Sequence, residues 1–209
     1  MTPAKKKSTR RKTDKRSVSD KLVDAALELA AENPWRTLSL PTIAAHAGVP
    51  VGEALLCLPS RLHIQRALIE RIDAQVFGGL EDDPLDGTTK DKLFDILMRR
   101  FDALDGHQAA LKSMTRDSAR DPLSTACLGA RFLKSMALSL QAAGVSAEGC
   151  AGALKSKALA VIQLNAARVW INDDDAGLSR TMAALDKGLA RAEKFASRRP
   201  PLRNQTSKA

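Results

Sequence analysis

Apolar residues recur at intervals of three and four along most of the chain, the period of helices with one buried face. Val18, Leu22, Ala26, Leu29 and Ala30 form the first stripe, with Ser17 or Ser19 as N-cap and Asn33-Pro34 as its end. Ser39 caps a short segment that turns Ile43, Ala44 and Ala47 inward, and Gly48 supplies a turn before Val49 and Pro50. A third short helix runs from Val51 to Cys57. Leu58-Pro59-Ser60 then breaks the pattern, and Ser60 caps a longer helix from Arg61 to about Phe77.

After a Gly-, Asp- and Pro-rich loop from Gly78 to Thr88, where a change of domain is plausible, Lys90 to Ala103 sets Leu93, Phe94, Leu97, Met98 and Phe101 on one side. Asp105-Gly106 precedes a short helix around Gln108 to Arg116. Asp121 as cap and Pro122 as first helical residue start a long helix ending before Gly144. Ser146 starts another, to about Ile171, and the Asp173 to Asp175 run caps the last, about Ala176 to Ala196. The fold class is all-α. The low aromatic content, 3% with no Tyr, excludes an all-β fold, since strands draw on aromatic and β-branched residues.

The net charge of +9 is unevenly placed. Residues 1–16 hold eight cations (Lys5, Lys6, Lys7, Arg10, Arg11, Lys12, Lys15, Arg16) against Asp14, and Arg198, Arg199, Arg203 and Lys208 sit in the last stretch, which leaves the body between them slightly acidic. Both ends are too polar to bury a core, so 1–16 and 197–209 are expected as disordered basic tails, the first suited to a polyanion. Cys57, Cys127 and Cys150 are too few and too scattered for a disulfide framework or a metal knuckle, and fit a reducing cytoplasm. No apolar h-region follows the basic start and no run approaches roughly 18 apolar residues, so neither export nor stable membrane insertion is expected. His46, His63 and His107 have no metal-ligand spacing, the Asp173 to Asp175 run lacks the Gly of a calcium loop, and no catalytic triad, carboxylate pair or phosphate loop is present. Neither enzyme activity nor a cofactor or metal is expected.

Two short helices joined by Ala47-Gly48-Val49-Pro50 have the spacing of a helix-turn-helix, whose second helix lies in the DNA major groove while the first crosses the backbone. Over residues 17–72 the sequence resembles the tetracycline-repressor (TetR) family. The matching pieces are Ala25-Ala26-Leu27-Glu28-Leu29-Ala30, Leu38-Ser39-Leu40-Pro41-Thr42-Ile43-Ala44-Ala45-His46-Ala47-Gly48-Val49, Gly52, and Leu58-Pro59-Ser60-Arg61. The resemblance implies a three-helix DNA-binding head (17–60), a helical ligand-binding and dimerisation domain (61–196), a homodimer through the last two helices, and a regulator, most often a repressor, released or retuned by a small effector. It puts Thr42, Val51, Gly52, Glu53, Ala54 and Arg61 at double-stranded DNA, with Arg61 in the phosphate-binding role of the family's Lys.

The reading helix departs from the family pattern: Glu53, Leu55, Cys57 and Leu58 stand where hydroxyl and aromatic residues are usual, and residues 17–61 carry three bases against five acids. Counterion release must then come from the basic arm, lying along the backbone or in the minor groove as homeodomain arms do. Met98, Phe101, Met114, Phe132, Met136, Gln163 and Trp170 are candidates to line a pocket for an apolar effector, with plain bundle core as the alternative for each apolar one. The stretch Arg168-Val169-Trp170-Ile171-Asn172-Asp173-Asp174-Asp175, with Leu178 to Asp186, also resembles lipid-binding accessory proteins of ubiquinone biosynthesis, which implies a rival: an isoprenoid or lipid carrier of the same fold without DNA readout. A dimeric scaffold is the third possibility.

Overall fold

A computed structural model of the chain describes residues 6–118, 121–173 and 177–197, with side chains from 18 to 117, 121 to 173 and 177 to 196. It contains α1 (Lys6–Glu32), a 3-10 turn (Trp35–Thr37), α2 (Leu40–His46), α3 (Val51–Cys57), α4 (Arg61–Gly78), α5 (Thr89–Asp102), α6 (Gln108–Ser118), α7 (Pro122–Ala142), α8 (Gly149–Trp170) and α9 (Ser179–Ser197). No strand occurs among the described residues. The all-α expectation holds.

The head is α1, α2 and α3 around Leu22, Ala26, Ile43, Ala44, Ala54 and Leu58, all buried. The body is a bundle in which α8 packs against α7 and α9, and α5 against α9. Helix α4 belongs to both, because it packs on α1 and also on α5 and α7. Its buried Ile64, Leu68, Ile72 and Val76 join the head core to Ile96, Leu97, Phe101, Met136 and Trp170 in one hydrophobic cluster.

Local chemistry explains the helix starts. Thr88 and Asp91 form a reciprocal capping box, each accepting from the other's backbone N–H at 3.3 and 2.9 Å. Asp121 accepts from Ser124 N at 3.0 Å with Pro122 as the next residue. Hydrogen bonds from the Thr88 hydroxyl to Asp91, at 2.6 Å, and from the Ser124 hydroxyl to Asp121, followed by these backbone bonds, hold both carboxyls below the usual carboxylate range. Between α8 and α9 the approach is close: a Cβ at Gly188 would lie 2.8 Å from Ile162 Cγ2.

Three expected boundaries are corrected. Helix α1 starts at Lys6, not at Ser17 or Ser19, so from Lys6 onward the expected disordered arm is helical. The stretch has no Gly or Pro, and Lys and Arg are good helix formers once the anchored half supplies a nucleus. Helix α8 starts at Gly149, φ +64°, rather than Ser146. Helix α9 starts at Ser179 rather than about Ala176, although Asp173 still serves it, accepting from Thr181 N and Oγ1 at 2.9 and 2.8 Å. Asp174 and Asp175, Lys5 and the four tail cations lie outside the described residues.

Candidate nucleic-acid interface

Helix α2 is set by Ser39, whose Oγ accepts from Thr42 N at 3.2 Å and pairs with Thr42 Oγ1 at 2.7 Å. Its last turn closes through Gly48, φ +63°, and Val49 N donates to Ala44 O at 2.9 Å. A side chain at Gly48 would be strained by that φ, although no atom stands nearby. The chain then bends by 113° from α2 into α3, within the range of a helix-turn-helix. His46 Nε2 meets Glu28 at 2.7 Å and ties the end of α2 to α1.

Helix α3 turns Ala54 inward, wholly buried, and Leu58 behind it at 9% exposure. Its outer face is Val51, Gly52, Glu53, Leu55 and Leu56. Leu56 is 85% exposed, Leu55 49% and Val51 40%. Thr42 is also exposed. The expectation that Ala54 approaches DNA is therefore corrected: residues 51, 52, 55 and 56 share the outer stripe and 54 opposes it.

Arg61 Nη1 donates to the Trp35 carbonyl at 2.8 Å, and its half-buried guanidinium lies 5.9 Å from the centre of the Trp35 ring. The expected arm cations Lys6, Lys7, Arg10, Arg11, Lys12, Lys15 and Arg16 stand on the backbone of α1.

The Trp35 turn also seats the head on the body. Trp35 N donates to Ser113 Oγ at 2.9 Å, Ser113 Oγ donates to Asn33 O at 2.9 Å, and Arg36 N donates to Asp117 Oδ2 at 2.7 Å. Beside this joint a cavity of about 260 Å³ opens between the first turns of α4 and α7. Trp35, Arg36, Arg61, Asp117 and Asp121 line it with Gln65 and Leu128, and Arg61 contributes to holding the Asp121 carboxyl low. None of the seven expected pocket residues lines this cavity.

Those seven lie in the bundle. Phe101 and Trp170 stack with centroids 5.6 Å apart, and Met114 and Met136 are buried, while Met98 and Phe132 are half-buried. Gln163 Oε1 and Trp170 Nε1, both on α8 and both buried, have no hydrogen-bond partner among the described residues. The bundle also holds a charge cluster that sequence patterning missed. Asp73 of α4 accepts from Arg100 of α5 at 2.6 Å, from Arg131 of α7 at 2.7 Å, and from Ser135 Oγ. Phe132 lies under the Arg100 guanidinium at 6.0 Å. The signal was available in part: Asp73 falls next to Ile72 and three before Val76, on the inward face of its helix. Among the described residues no group of three His, Cys, Asp or Glu is placed to hold a metal ion, and no single helix is long and apolar enough to cross a membrane.

No protein-family model and no curated protein sequence matches the chain. Solved structures do. A TetR transcriptional regulator from Nitrosomonas europaea ATCC 19718 is similar at TM-score 0.70 and 22% identity, over 84% of this chain and 98% of that one. A TetR transcriptional regulator from Rhodococcus sp. RHA1 is similar at TM-score 0.62 and 17% identity, over 85% and 96%. A tetR-family transcriptional regulator from Streptomyces coelicolor follows at TM-score 0.55 and 16% identity, over 87% and 86%. The chain has the fold of the TetR transcriptional regulators, helix-turn-helix head and helical body together.

Proposed function

We propose that the chain is a DNA-binding transcriptional regulator of the TetR type, a ligand-responsive repressor working in the cytoplasm as a homodimer, and not an enzyme. The observation that carries this reading is α3: a short helix after a Gly48 turn at 113°, with one face packed on α1 and the other, Val51 to Leu56, open to a partner. The similarity of fold to solved transcriptional regulators agrees with it. Because the head carries more acids than bases, affinity for the duplex comes from the seven arm cations on α1, and from Lys5 ahead of it.

Dimerisation uses α8 and α9. Leu154, Val161 and Leu164 lie on one stripe of α8, each at least 50% exposed, with Met182 exposed on α9. Two such faces pair as a four-helix bundle and set the heads about one DNA turn, roughly 34 Å, apart. The effector enters the bundle beside Phe101 and Trp170, where Gln163 Oε1 and Trp170 Nε1 supply one acceptor and one donor to an otherwise apolar molecule. Its arrival shifts α5 and α7 against Asp73, tilts α4 and alters the spacing of the heads.

The test is binding of the full chain, and of a chain lacking residues 1–16, to duplex from the protein's own promoter across a salt series. The full chain binds selectively and with a steep slope. The truncated chain keeps the head core from Val18 onward but loses about 0.9 of slope for each phosphate contact removed. Equal affinity and slope for the two chains would refute the arm's role, and no selective binding by the full chain would refute the regulator.

A further inference from the structure

Helix α3 has an unusual inventory for a helix that reads DNA. Its residues are Val51, Gly52, Glu53, Ala54, Leu55, Leu56 and Cys57: among their side chains there is no Arg, Lys, Asn, Gln, Ser or Thr. The bidentate contacts that select guanine, from Arg or Lys, and adenine, from Asn or Gln, are therefore chemically unavailable to it. Two kinds of base contact remain. Exposed aliphatic groups can cover the C5-methyl of thymine, and a carboxylate can accept from the exocyclic amine of cytosine.

The structure presents both. Val51, Leu55 and Leu56 project from the outer stripe, Leu56 almost fully exposed, while Glu53 is exposed on the adjoining face and makes no ion pair among those described. Gly52 lies between them in the stripe, and a Cβ added there would meet no atom within 4 Å, so the backbone can come close to a base edge. A polyanion is the partner argued for this face, because the eight cations of the first sixteen residues lead directly into the head through α1.

Resting on the regulator reading above, we infer that α3 reads thymine methyls through Val51, Leu55 and Leu56 and a cytosine amine through Glu53, so that each half-site is a thymine-containing tract with cytosine and with no guanine contact on this helix. This makes the three aliphatic side chains specificity-determining residues. It also makes the chain sensitive to a change that leaves every base-pairing edge intact, the removal of the thymine methyl.

The experiment selects duplexes from a randomised library with the full-length chain, then rebuilds the selected duplex with deoxyuridine for thymine, one position at a time. Affinity falls about fourfold for each methyl that α3 covers, the equivalent of burying one carbon group. In Leu56→Ala the thymine and deoxyuridine duplexes become equal at the position that Leu56 covers. Glu53→Gln, which gains a donor, shifts the preferred base at one position from cytosine toward adenine. All three side chains are exposed, so unchanged thermal unfolding serves as the control for folding. A selected duplex indifferent to deoxyuridine at every position, or a consensus built on guanine contacts that Leu55→Ala and Leu56→Ala leave intact, would overturn the inference while the regulator reading stands. Failure to enrich any duplex would overturn both.

Discussion

Removing the Asp73 carboxylate is the sharpest perturbation the body of the protein offers. Asp73 and Arg100 side chains are 7% and 3% exposed, and the carboxylate takes both guanidinium groups, one on each oxygen, together with the Ser135 hydroxyl. Asp73→Ala leaves Arg100 charged, buried and unmatched, a change that costs about 3–5 kcal/mol when one partner of a buried pair is deleted. Arg131 suffers less, because Glu70 remains at 3.3 Å as a second, exposed partner. Against a total of roughly 5–15 kcal/mol, and at roughly 2–4 °C per kcal/mol for a chain of this size, the melting point should drop by about 6–20 °C. Helical circular dichroism at one fixed protein concentration, to hold any dimer equilibrium constant, measures the free-energy loss by urea unfolding and the melting point by heating. The double variant Asp73→Leu with Arg100→Met should recover most of the loss, since an apolar pair of similar volume replaces a desolvated ionic one. A cost under about 1 kcal/mol for Asp73→Ala, or a double variant no more stable than the single one, would refute the claim that burial of Arg100 sets the magnitude.

Gly52→Ala should raise stability by up to about 1 kcal/mol, because its added methyl meets nothing and Ala is the better helix former, yet weaken duplex binding by filling the outer stripe; thermal unfolding and a mobility shift read the two effects separately. Leu164→Glu puts a charge on the exposed stripe of α8 and should convert the proposed dimer to monomer in light scattering, with the helical signal unchanged. The acid limb of stability should depend on two caps. Asp91 and Asp121 titrate below their ordinary value when folded, so their contribution is complete above about pH 4 and is lost as pH falls through the lowered values. Asp121→Asn, which keeps a cap acceptor without a titrating proton, should flatten that limb in a pH series of melting points.

Much of this architecture was legible in the sequence, and the misses have physical causes. Ser39, Pro41 and Gly48 act within a few residues of themselves, so the cap, the first turn and the bend of the helix-turn-helix could be read locally. Lys6 to Arg16 was read as tail because a charge run without an apolar stripe buries nothing, but absence of a core contact does not stop a helix already nucleated beside it. Ala54 was placed on the DNA side by resemblance, where counting four back from the apolar Leu58 would have turned it inward. Arg61 and Asp73 were out of reach for a different reason. The Trp35 carbonyl is 26 residues from Arg61, and the partners of Asp73 are 27, 58 and 62 residues away, so neither pairing leaves a trace in local periodicity. Likewise the cavity beside Trp35 is made by α4 and α7 meeting, which spacing along one helix cannot foretell.

The placement of the two indoles gives the protein a built-in optical readout. With no Tyr in the chain, ultraviolet emission belongs to Trp35 and Trp170 alone, one at the joint of head and body under a guanidinium, the other stacked on Phe101 deep in the bundle. Replacing either by Phe leaves a single fluorophore, so that the surroundings of the joint and of the bundle interior can be followed independently in solution, without attaching a dye.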